Sequence, residues 1–479
     1  MATITKHKGR RFSKMANEHY RYESAEALFK NIRVLQEFIQ HHMSYQRPRL
    51  DELDDYYLGD NTMILNDRER HQAEDHKADY RATHNYAKYV SQFTVGYLVG
   101  NPITIQHDDD NIEEKITEIN LLNDTDALNS DLILDLSIYG RAYELLYRNE
   151  RDENRIALSS PLHTFVIYDD TVEQKPIAGV RYYQNEMLPG SPFKAKVYTD
   201  TEIISYESES NAVITLIEQE REPHYFGGVP INEYSNNRFR QGDYENVLSL
   251  IDLYDAAQSD TANYMSDLND AMLLIKGNLE MDDEETAEMK KSNILFLKTQ
   301  LDAEGREGSA DASYIYKQYD VSGVESYKNR LQQDIHKFTN TPDLNDEHFS
   351  SNQSGESMKY KLFGLEQVRV IKERLFKRSL TNRYRLLANL MNVSSELTGG
   401  AMDELIIQFT PNLPRAVSDE VEMFNSLGGQ LSEETMLSLL SFIEDPQAEI
   451  DRLMTERNEA MNVNPNRDYL EDTEEEDNG

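Results

Sequence analysis

The feature that most constrains this chain is a stretch of thirty-five residues, 241–275, that contains no Lys or Arg. On a helix of 3.6 residues per turn, its apolar residues gather on one side, and Asp252, Asp255, Asp260 and Asp267 gather on the other. We therefore expect a long helix with one apolar packing face and one acidic face. The acidic face is either an ordinary solvated surface or a functional one, and this stretch alone does not decide between them.

Length and charge set the class of protein. The chain has 479 residues, a formal net charge of -38 and a pI near 4.6. The length predicts two to four subdomains, and the acidic balance argues against a protein that wraps nucleic acid by neutralising phosphates. The sequence contains no Cys, which excludes disulfides and thiolate metal sites. The basic start is not followed by an apolar run, so we expect a soluble intracellular protein with no membrane partner.

Hydrophobic periodicity predicts an α+β fold that is predominantly helical. Residues 1–240 are expected to form one domain, which is helical up to Val99 and then rich in strands. The strand signals are runs of Tyr, Val and Ile between turn residues, typical of an antiparallel sheet backed by helices. They lie at 142–147, 165–168, 177–183, 195–198, 202–206 and 213–218, and residues 223–240 look like a linker.

The acidic stretch begins a series of smaller parts. We expect the long helix over residues 241–269, a small α/β unit over 270–324 and a second amphipathic helix over 325–342. Residues 343–357 follow as an exposed loop, because they offer almost nothing to bury. An acidic cluster in the small unit stands near a predicted helix start, where carboxylates favour the helix dipole, and it is also a candidate contact. The cluster is Asp282, Asp283, Glu284 and Glu285.

Residues 358–415 carry the only extended basic segment expected within a folded element, a long helix followed by a strand. Its cations either pair with acidic surfaces of the same or a neighbouring subunit, which is the favoured interpretation, or contact phosphates directly. Helices are expected over 416–463 and a disordered acidic tail over 464–479. The basic residues singled out are Lys359, Lys361, Arg369, Lys372, Arg374, Lys377 and Arg378.

Motifs of catalysis are absent from the sequence. It has no G-x-x-x-x-G-K-[ST] loop, H-E-x-x-H pair or G-x-S-x-G elbow. His71, His76 and His84 lie near Asp75 and Asp79, but the histidines are not spaced i,i+4 as two ligands on one helix would be. Adjacent carboxylates arise by chance in so acidic a chain, so a two-metal nuclease is unsupported. We expect a protein that is not an enzyme and that uses no catalytic residue, metal or cofactor.

Four parts of the sequence resemble the portal proteins of long-tailed bacteriophages, in particular the portals of Gram-positive siphoviruses. Together they span most of the chain from about residue 85 to residue 445, whereas the ends before 20 and after 464 carry no recognisable pattern. The matching strings are VGYLVGNPI at 95–103, VIYDD at 166–170 with VRYY at 180–183, GDYE at 242–245 with LIDLYD at 250–255, and KYKLFGLE at 359–366 with FTPNLP at 409–414.

The resemblance implies a portal fold that assembles as a dodecameric ring at one capsid vertex. Its wing would be 1–240, its stem 241–269 and 325–342, its clip 270–324 and its crown 416–463. Double-stranded DNA would be packaged and ejected through the channel without sequence readout. The implied partners are the terminase large subunit, head-completion proteins, and scaffolding and major capsid proteins, in the virion and earlier in the host cytoplasm.

The resemblance also places a tunnel loop at 343–357, where polar side chains would form weak, exchangeable bonds to phosphates. An acidic stem face would repel DNA within a Debye length of about 8 Å and keep it centred. The acidic clip cluster would contact the terminase. The alternatives are a helical oligomeric adaptor or scaffold of a virion without a DNA channel, and a metal-dependent nuclease. The tunnel-loop candidates are Asn345, Asp346, Glu347, His348, Phe349, Ser350, Ser351, Asn352, Gln353 and Ser354.

Overall fold

The computed structural model describes the greater part of the chain, which forms two units, Met1–Asn412 and Leu413–Gly479. The described residues are 10–66, 78–185, 187–188, 190–209, 214–267, 272–277, 294–298, 311–315, 320–344, 362–397, 404–412, 421, 424–427, 431–437, 440, 443 and 446–462.

Several helices of the first unit begin at side-chain caps, and several end at left-handed residues. Ser24, Asp109 and Asp320 each accept a hydrogen bond from a first-turn amide of the helix that follows. Gly59 and Gly140 end helices with φ of 92° and 77°, a conformation that glycine adopts without steric cost. The helices are α1 (Ala25–Lys30), α2 (Ile32–His41), α3 (Arg47–Leu58), α4 (Thr62–Leu65), α5 (Tyr86–Val99), α6 (Asp110–Asn123), α7 (Thr125–Tyr139), α8 (Leu248–Asp267), α9 (Val321–Thr339) and α10 (Phe363–Val393).

Strands of the first unit are distributed over four sheets. They are β1 (Tyr20–Arg21), β2 (Thr104–Gln106), β3 (Arg141–Arg148), β4 (Asn154–Ser159), β5 (Thr164–Tyr168), β6 (Pro176–Tyr183), β7 (Phe193–Tyr198), β8 (Glu202–Ser208), β9 (Ile217–Pro223), β10 (Ile231–Ser235), β11 (Met272–Gly277), β12 (Ile294–Lys298), β13 (Asp311–Ile315) and β14 (Ile406–Gln408). The sheet orders are β1-β5-β6-β7-β8-β9, β10-β3-β4, β12-β11-β13 and β14-β2. Pairing is antiparallel except between β1 and β5 and between β11 and β12.

The six-stranded sheet is covered on both faces. Successive side chains of a strand point to opposite faces, so each strand contributes to two cores. Val197 of β7 belongs to a core with Leu28 of α1 and Leu35 of α2. The next residue, Tyr198, belongs to a second core with Tyr143 of β3. The sheet β10-β3-β4 therefore covers one face, and helices α1 and α2 cover the other.

A buried ion pair fastens α10 to the sheet β10-β3-β4. Arg383 and Glu144 are both fully buried, and Nε and Nη2 of Arg383 donate to Glu144 Oε2 at 2.9 and 2.6 Å. Tyr234 Oη and Asn232 Nδ2 each donate to Glu144 Oε1 at 2.8 Å. The carboxylate thus has donors on both oxygens, which is the condition for keeping a charge in the interior.

Two residues with positive φ meet where β3, α7 and the start of α8 converge. Gly140 has φ 77° and Arg240 has φ 51°. A Cβ on Gly140 would lie 2.2 Å from the carbonyl oxygen of Arg240, so only glycine fits this approach. The buried Arg240 side chain donates to Tyr143 Oη at 2.8 Å and pairs with Glu233 at 3.0 Å. This junction therefore sets the position at which α8 leaves the sheet.

Helices α8 and α9 pack against each other, and the sheet β12-β11-β13 comes from the chain between them. Asn246 Nδ2 donates to the carbonyl of Phe338 at 3.0 Å, and Lys328 Nζ donates to Gln258 Oε1 at 2.9 Å. In the second unit, Leu437 of α11 (Glu433–Leu437) and Ile450 of α12 (Pro446–Asn462) share a small core with Leu440. No helix among the described residues is both long and apolar enough to cross a lipid bilayer.

The predicted α+β class is confirmed, and two strand predictions need correction. Strand β9 lies at Ile217–Pro223 rather than at 213–218, and all of its residues are exposed, so it lacks the apolar alternation that reveals a strand. Strand β10 lies inside the region interpreted as a linker, 223–240. Its polar residues Asn232 and Glu233 hide a strand that is stabilised by pairing with β3.

We predict that Arg383→Met destabilises the chain by about 3–5 kcal/mol, because it leaves the Glu144 carboxylate buried without its cation. The double variant Glu144→Gln/Arg383→Met should lose less, because no unpaired charge remains. Thermal unfolding followed by circular dichroism at equal protein concentration measures both effects. A double variant that melts below the single variant would contradict this account of the pair.

Candidate functional site

A row of polar residues lies on the buried face of α8. Asp255, Ser259 and Asn263 are four residues apart and are 0, 0 and 5 % exposed. Ile251, which is also fully buried, continues the row toward the start of the helix. Residues spaced i,i+4 share one face of a helix. The packing face of α8 is therefore apolar in its first turn and polar further along.

This polar row binds the backbone of the segment that precedes α5. Each polar side chain accepts a hydrogen bond from an alternate amide of residues 80–84. Four helical residues rise about 6 Å, close to the roughly 6.6 Å between alternate residues of an extended chain. We call this set the polar ladder. Its bonds are His84 N to Asp255 Oδ1 at 2.9 Å, Ala82 N to Ser259 Oγ at 2.9 Å and Tyr80 N to Asn263 Oδ1 at 2.6 Å.

The prediction that Asp255 lies on an exposed acidic face is wrong. Its carboxylate is fully buried, and Oδ1 lies 2.8 Å from His84 Nδ1 in addition to the ladder bond. The other oxygen accepts a hydrogen bond from Asn61 Nδ2. Donors on both oxygens make the burial of this carboxylate favourable. Asp255 therefore anchors α8 to the rest of the first unit.

Asp252 is also engaged within the subunit. Arg11 Nη1 lies 2.6 Å from Asp252 Oδ2, and Tyr56 Oη donates to the other carboxylate oxygen. Arg11 binds Glu52 at 2.6 Å as well, so the basic start of the chain neutralises part of α8. Burial, followed by the Asp252 carboxylate, raises the pKa of Tyr56 above its usual value. Tyr56 is therefore a neutral donor to this carboxylate at physiological pH.

The exposed acidic surface predicted for α8 is smaller than the sequence suggested. Asp260 is exposed, and Asp267 is the last residue of the helix, its side chain lying outside the described part. Among the α8 carboxylates whose side chains are described, Asp260 is the only exposed one. Leu253 and Met265 are also 47 and 46 % exposed, so the outer surface of α8 is partly apolar.

Several cations of α10 pair with carboxylates of the same subunit. Arg369 Nη2 lies 2.6 Å from Glu366, and hydrogen bonds from Arg369 lower the pKa of that carboxyl. The buried Lys372 pairs with Asp243 of the segment before α8. Lys377 Nζ lies 2.7 Å from Glu373. Arg374 and Arg378 differ: both are exposed and have no ion pair within the described part of the chain.

Several predicted site residues lie outside the described part. They are the tunnel-loop candidates 345–354, the acidic cluster 282–285, Lys359 and Lys361, and the predicted acidic tail 464–479. Of the predicted histidine group, His84 is engaged by Asp255, whereas His71 and His76 are outside the described residues. Within the described part, no three His, Asp or Glu side chains are grouped so that they could hold a metal ion.

A cavity of about 370 Å³ lies beside the polar ladder, between the start of α5 and α9. Tyr86 and Tyr89 meet the ring of His336 edge-on, with centroids 6.1 and 5.5 Å apart. The His336 ring also lies 3.2 Å from the carbonyl of Thr341 and 3.8 Å from Asp343. The ring of His336 therefore ties α9 to the chain that leaves it, close to the predicted tunnel loop.

We predict that Ser259→Ala weakens the polar ladder locally. Losing the acceptor of the Ala82 amide should cost about 1–3 kcal/mol and raise the hydrogen-exchange rate of residues 80–84 about ten-fold or more. Exchange measured by mass spectrometry tests this. The matched control is Ser249→Ala, the same substitution at an exposed position in the first turn of α8, which should leave that segment unchanged. Equal exchange in both variants would contradict the ladder.

Comparison with known proteins gives a consistent result. A sequence model for phage portal proteins of the SPP1 Gp6-like type matches residues 36–463. The portal protein of Bacillus phage SPP1 is 23 % identical over 436 residues, which cover 86 % of this chain and 84 % of that protein. The portal protein of Clostridium phage phiCD119 is 26 % identical over 256 residues, which cover 50 % of this chain and 56 % of that protein.

A solved structure titled as the neck of an empty gene transfer agent particle, computed with C6 symmetry, was also matched. The match covers 74 % of this chain and 88 % of the matched chain. Its identity of 11 % and TM-score of 0.42 are too low to support an argument about the fold. The family match, in contrast, extends over most of the sequence and agrees with the names of both relatives. The chain belongs to the SPP1 Gp6-like family of phage portal proteins.

Proposed function

We propose that this chain assembles into a ring that forms the channel at one capsid vertex, through which double-stranded DNA is packaged and ejected. Membership of the portal family is the observation that carries the proposal. Two relatives are named portal proteins, and the match to one of them covers 84 % of its length. The ring is proposed to be dodecameric, to be part of the virion, and to assemble in the host cytoplasm. It acts as a conduit and not as an enzyme.

The proposed parts follow the segments of the first unit. Residues 1–240 form the wing, 241–269 and 325–342 form the stem, and 270–324 form the clip around the sheet β12-β11-β13. The geometry of α8 supports a stem role, because the polar ladder and the Arg11 pair attach this long helix to segments of the proposed wing that lie outside its sheets. Residues 416–463 form the crown in this proposal, and 343–357 form the tunnel loop.

Fewer carboxylates of the proposed stem can act on DNA than an acidic face along all of α8 would provide. Asp255 is buried and Asp252 is half-buried, whereas Asp260 is exposed, so Asp260, together with Asp267, is proposed to face the channel. A strongly acidic ring has little means of neutralising phosphates, so DNA passes without tight binding. The exposed Leu253 and Met265 would then pack between stem helices of neighbouring subunits, since apolar surface of this kind favours contact.

The proposed partners follow from the same role. A portal ring must receive DNA from a motor, so the acidic cluster 282–285 of the clip is proposed to contact the terminase large subunit. Head-completion proteins would bind after packaging, and scaffolding and major capsid proteins would surround the ring during procapsid assembly. The tunnel-loop candidates 345–354 would contact phosphates with no base readout.

Electron microscopy of the purified chain tests the proposed ring. We predict closed rings with a central channel wide enough for a DNA duplex. A population of monomers and dimers under assembly conditions would contradict the ring. Closed assemblies with no open channel would instead indicate the alternative function, a helical adaptor or scaffold of the virion.

A single introduced cysteine tests which side of α8 faces the channel, because the chain contains no other thiol. We predict that Asp260→Cys reacts with a small maleimide in both monomers and rings, but with a bulky polymer-linked maleimide only in monomers. The control is Arg33→Cys on α2, where the natural side chain is 82 % exposed, which should react with both reagents in rings. Rapid labelling of Asp260→Cys rings by the bulky reagent would place this residue outside the channel.

A further inference from the structure

We propose that neighbouring subunits of the ring contact each other through two oppositely charged surfaces. Arg374 and Arg378 of α10 in one copy bind Glu220 and Glu222 of β9 in the next copy. We call these the basic pair and the acidic pair. The inference rests on the proposed ring and adds to it the residues that join one subunit to the next.

The basic pair differs from the cations of α10 that are held inside the subunit. Arg369, Lys372 and Lys377 are held by carboxylates of the same subunit. Arg374 and Arg378 are exposed and have no such partner within the described part of the chain. Arg378 also lines the mouth of a cleft of about 870 Å³ between α10 and the turn from β5 to β6. Two adjacent cations beside an open cleft form a surface suited to an acidic partner.

The acidic pair lies on the edge strand of the six-stranded sheet. All residues of β9 are exposed, and β9 is the last strand in the sheet order. Arg221 pairs with Glu218 at 3.0 Å and with Glu202 at 2.6 Å. That arrangement leaves Glu220 and Glu222 without an ion pair among the described residues. An uncovered, charged edge strand is a surface available to another chain.

The distance between the two residues of the acidic pair is close to the distance between the two residues of the basic pair. Glu220 and Glu222 are alternate residues of a strand, so they point to the same face about 6.6 Å apart. The strand is regular there, since they pair with Ser205 and Ile203, beyond the register shift of β9. Residues 374 and 378 are one helical turn apart, with a rise of about 6 Å. Each carboxylate can therefore meet one guanidinium when the strand and the helix lie side by side.

The two surfaces also lie on different sides of the subunit. The cleft that Arg378 lines is at the turn between β5 and β6. Strand β9 is three strands beyond β6 in the sheet order, which corresponds to about 14 Å. Two different surfaces that bind each other form a head-to-tail contact, which is the type of contact that gives a ring when the rotation between copies closes. A twofold contact would instead place like charges against each other.

A second copy of the chain is the occupant that the charge favours. Each subunit carries a formal net charge of -38, so identical subunits repel each other unless local contacts attract. The pairing matches two cations with two carboxylates and leaves neither surface with excess charge. DNA phosphates are the other possible partner of the basic pair, but they would leave the acidic pair unused.

Charge reversal of the full-length chain tests the inference. The first variant is Arg374→Glu/Arg378→Glu, and the second is Glu220→Arg/Glu222→Arg. Each variant alone should require at least about ten-fold more protein to form rings, because like charges then meet at every contact. An equimolar mixture should recover ring formation, since every contact between the two variants is again complementary. Rings from the mixture should contain the variants in alternation and therefore in equal number.

Sedimentation and electron microscopy measure assembly, and circular dichroism checks that each variant is folded. The control is Lys30→Glu/Arg33→Glu on α1 and α2, which changes the charge by the same amount as the first variant. It should assemble as the unmodified chain does. Normal rings from either variant alone, or no recovery in the mixture, would overturn this interface while leaving the ring intact. Loss of DNA retention with normal rings in the first variant would assign the basic pair to phosphates. An unmodified chain that forms no rings would contradict the proposed function itself.

Discussion

The position of α8 depends on one buried carboxylate. Asp255 is fully removed from solvent, and a buried carboxylate is tolerated only where donors replace its water. Those donors are Asn61 Nδ2, the amide of His84 and the His84 ring, which come from two separate places in the chain. Because all of them must be in place together, Asp255 couples the connection between α3 and α4, the segment before α5, and α8 into one arrangement.

Scarcity of cations shapes the rest of the first unit. The chain has 87 acidic residues and 49 basic ones, so a cation held inside the fold is not available at the surface. Buried or half-buried cations join elements far apart in the sequence, where removing one partner costs more than it does at an exposed pair. The pairs are Arg11 with Asp252, Arg49 with Glu245, Lys372 with Asp243 and Arg383 with Glu144.

Periodicity in the sequence predicted which segments form helices and strands better than it predicted what each of them packs against. The strands with alternating apolar residues were predicted, because that alternation reflects burial on one face. Strand β9 was placed too early, and strands β4 and β10 were missed, since polar residues interrupt these strands and they depend on neighbouring strands for pairing. The long helix at α8 was also predicted, but its faces were assigned incorrectly. His84, which helps to bury Asp255, is 171 residues away in the sequence, and a local sequence pattern cannot show a contact between residues so far apart. The repeat of polar residues every four positions, at Asp255, Ser259 and Asn263, was the available signal.

The Arg11 contact has a consequence for how the chain folds during synthesis. Arg11 and Asp252 are separated by 241 positions in the sequence. At a synthesis rate of about 5–20 residues per second, Asp252 is made roughly 10–50 s after Arg11. During that interval the wing sheets can form, because the strands up to β10 precede α8 in the chain. Docking of α8 is therefore a late step, and until it occurs the amides of residues 80, 82 and 84 lack the acceptors that α8 supplies.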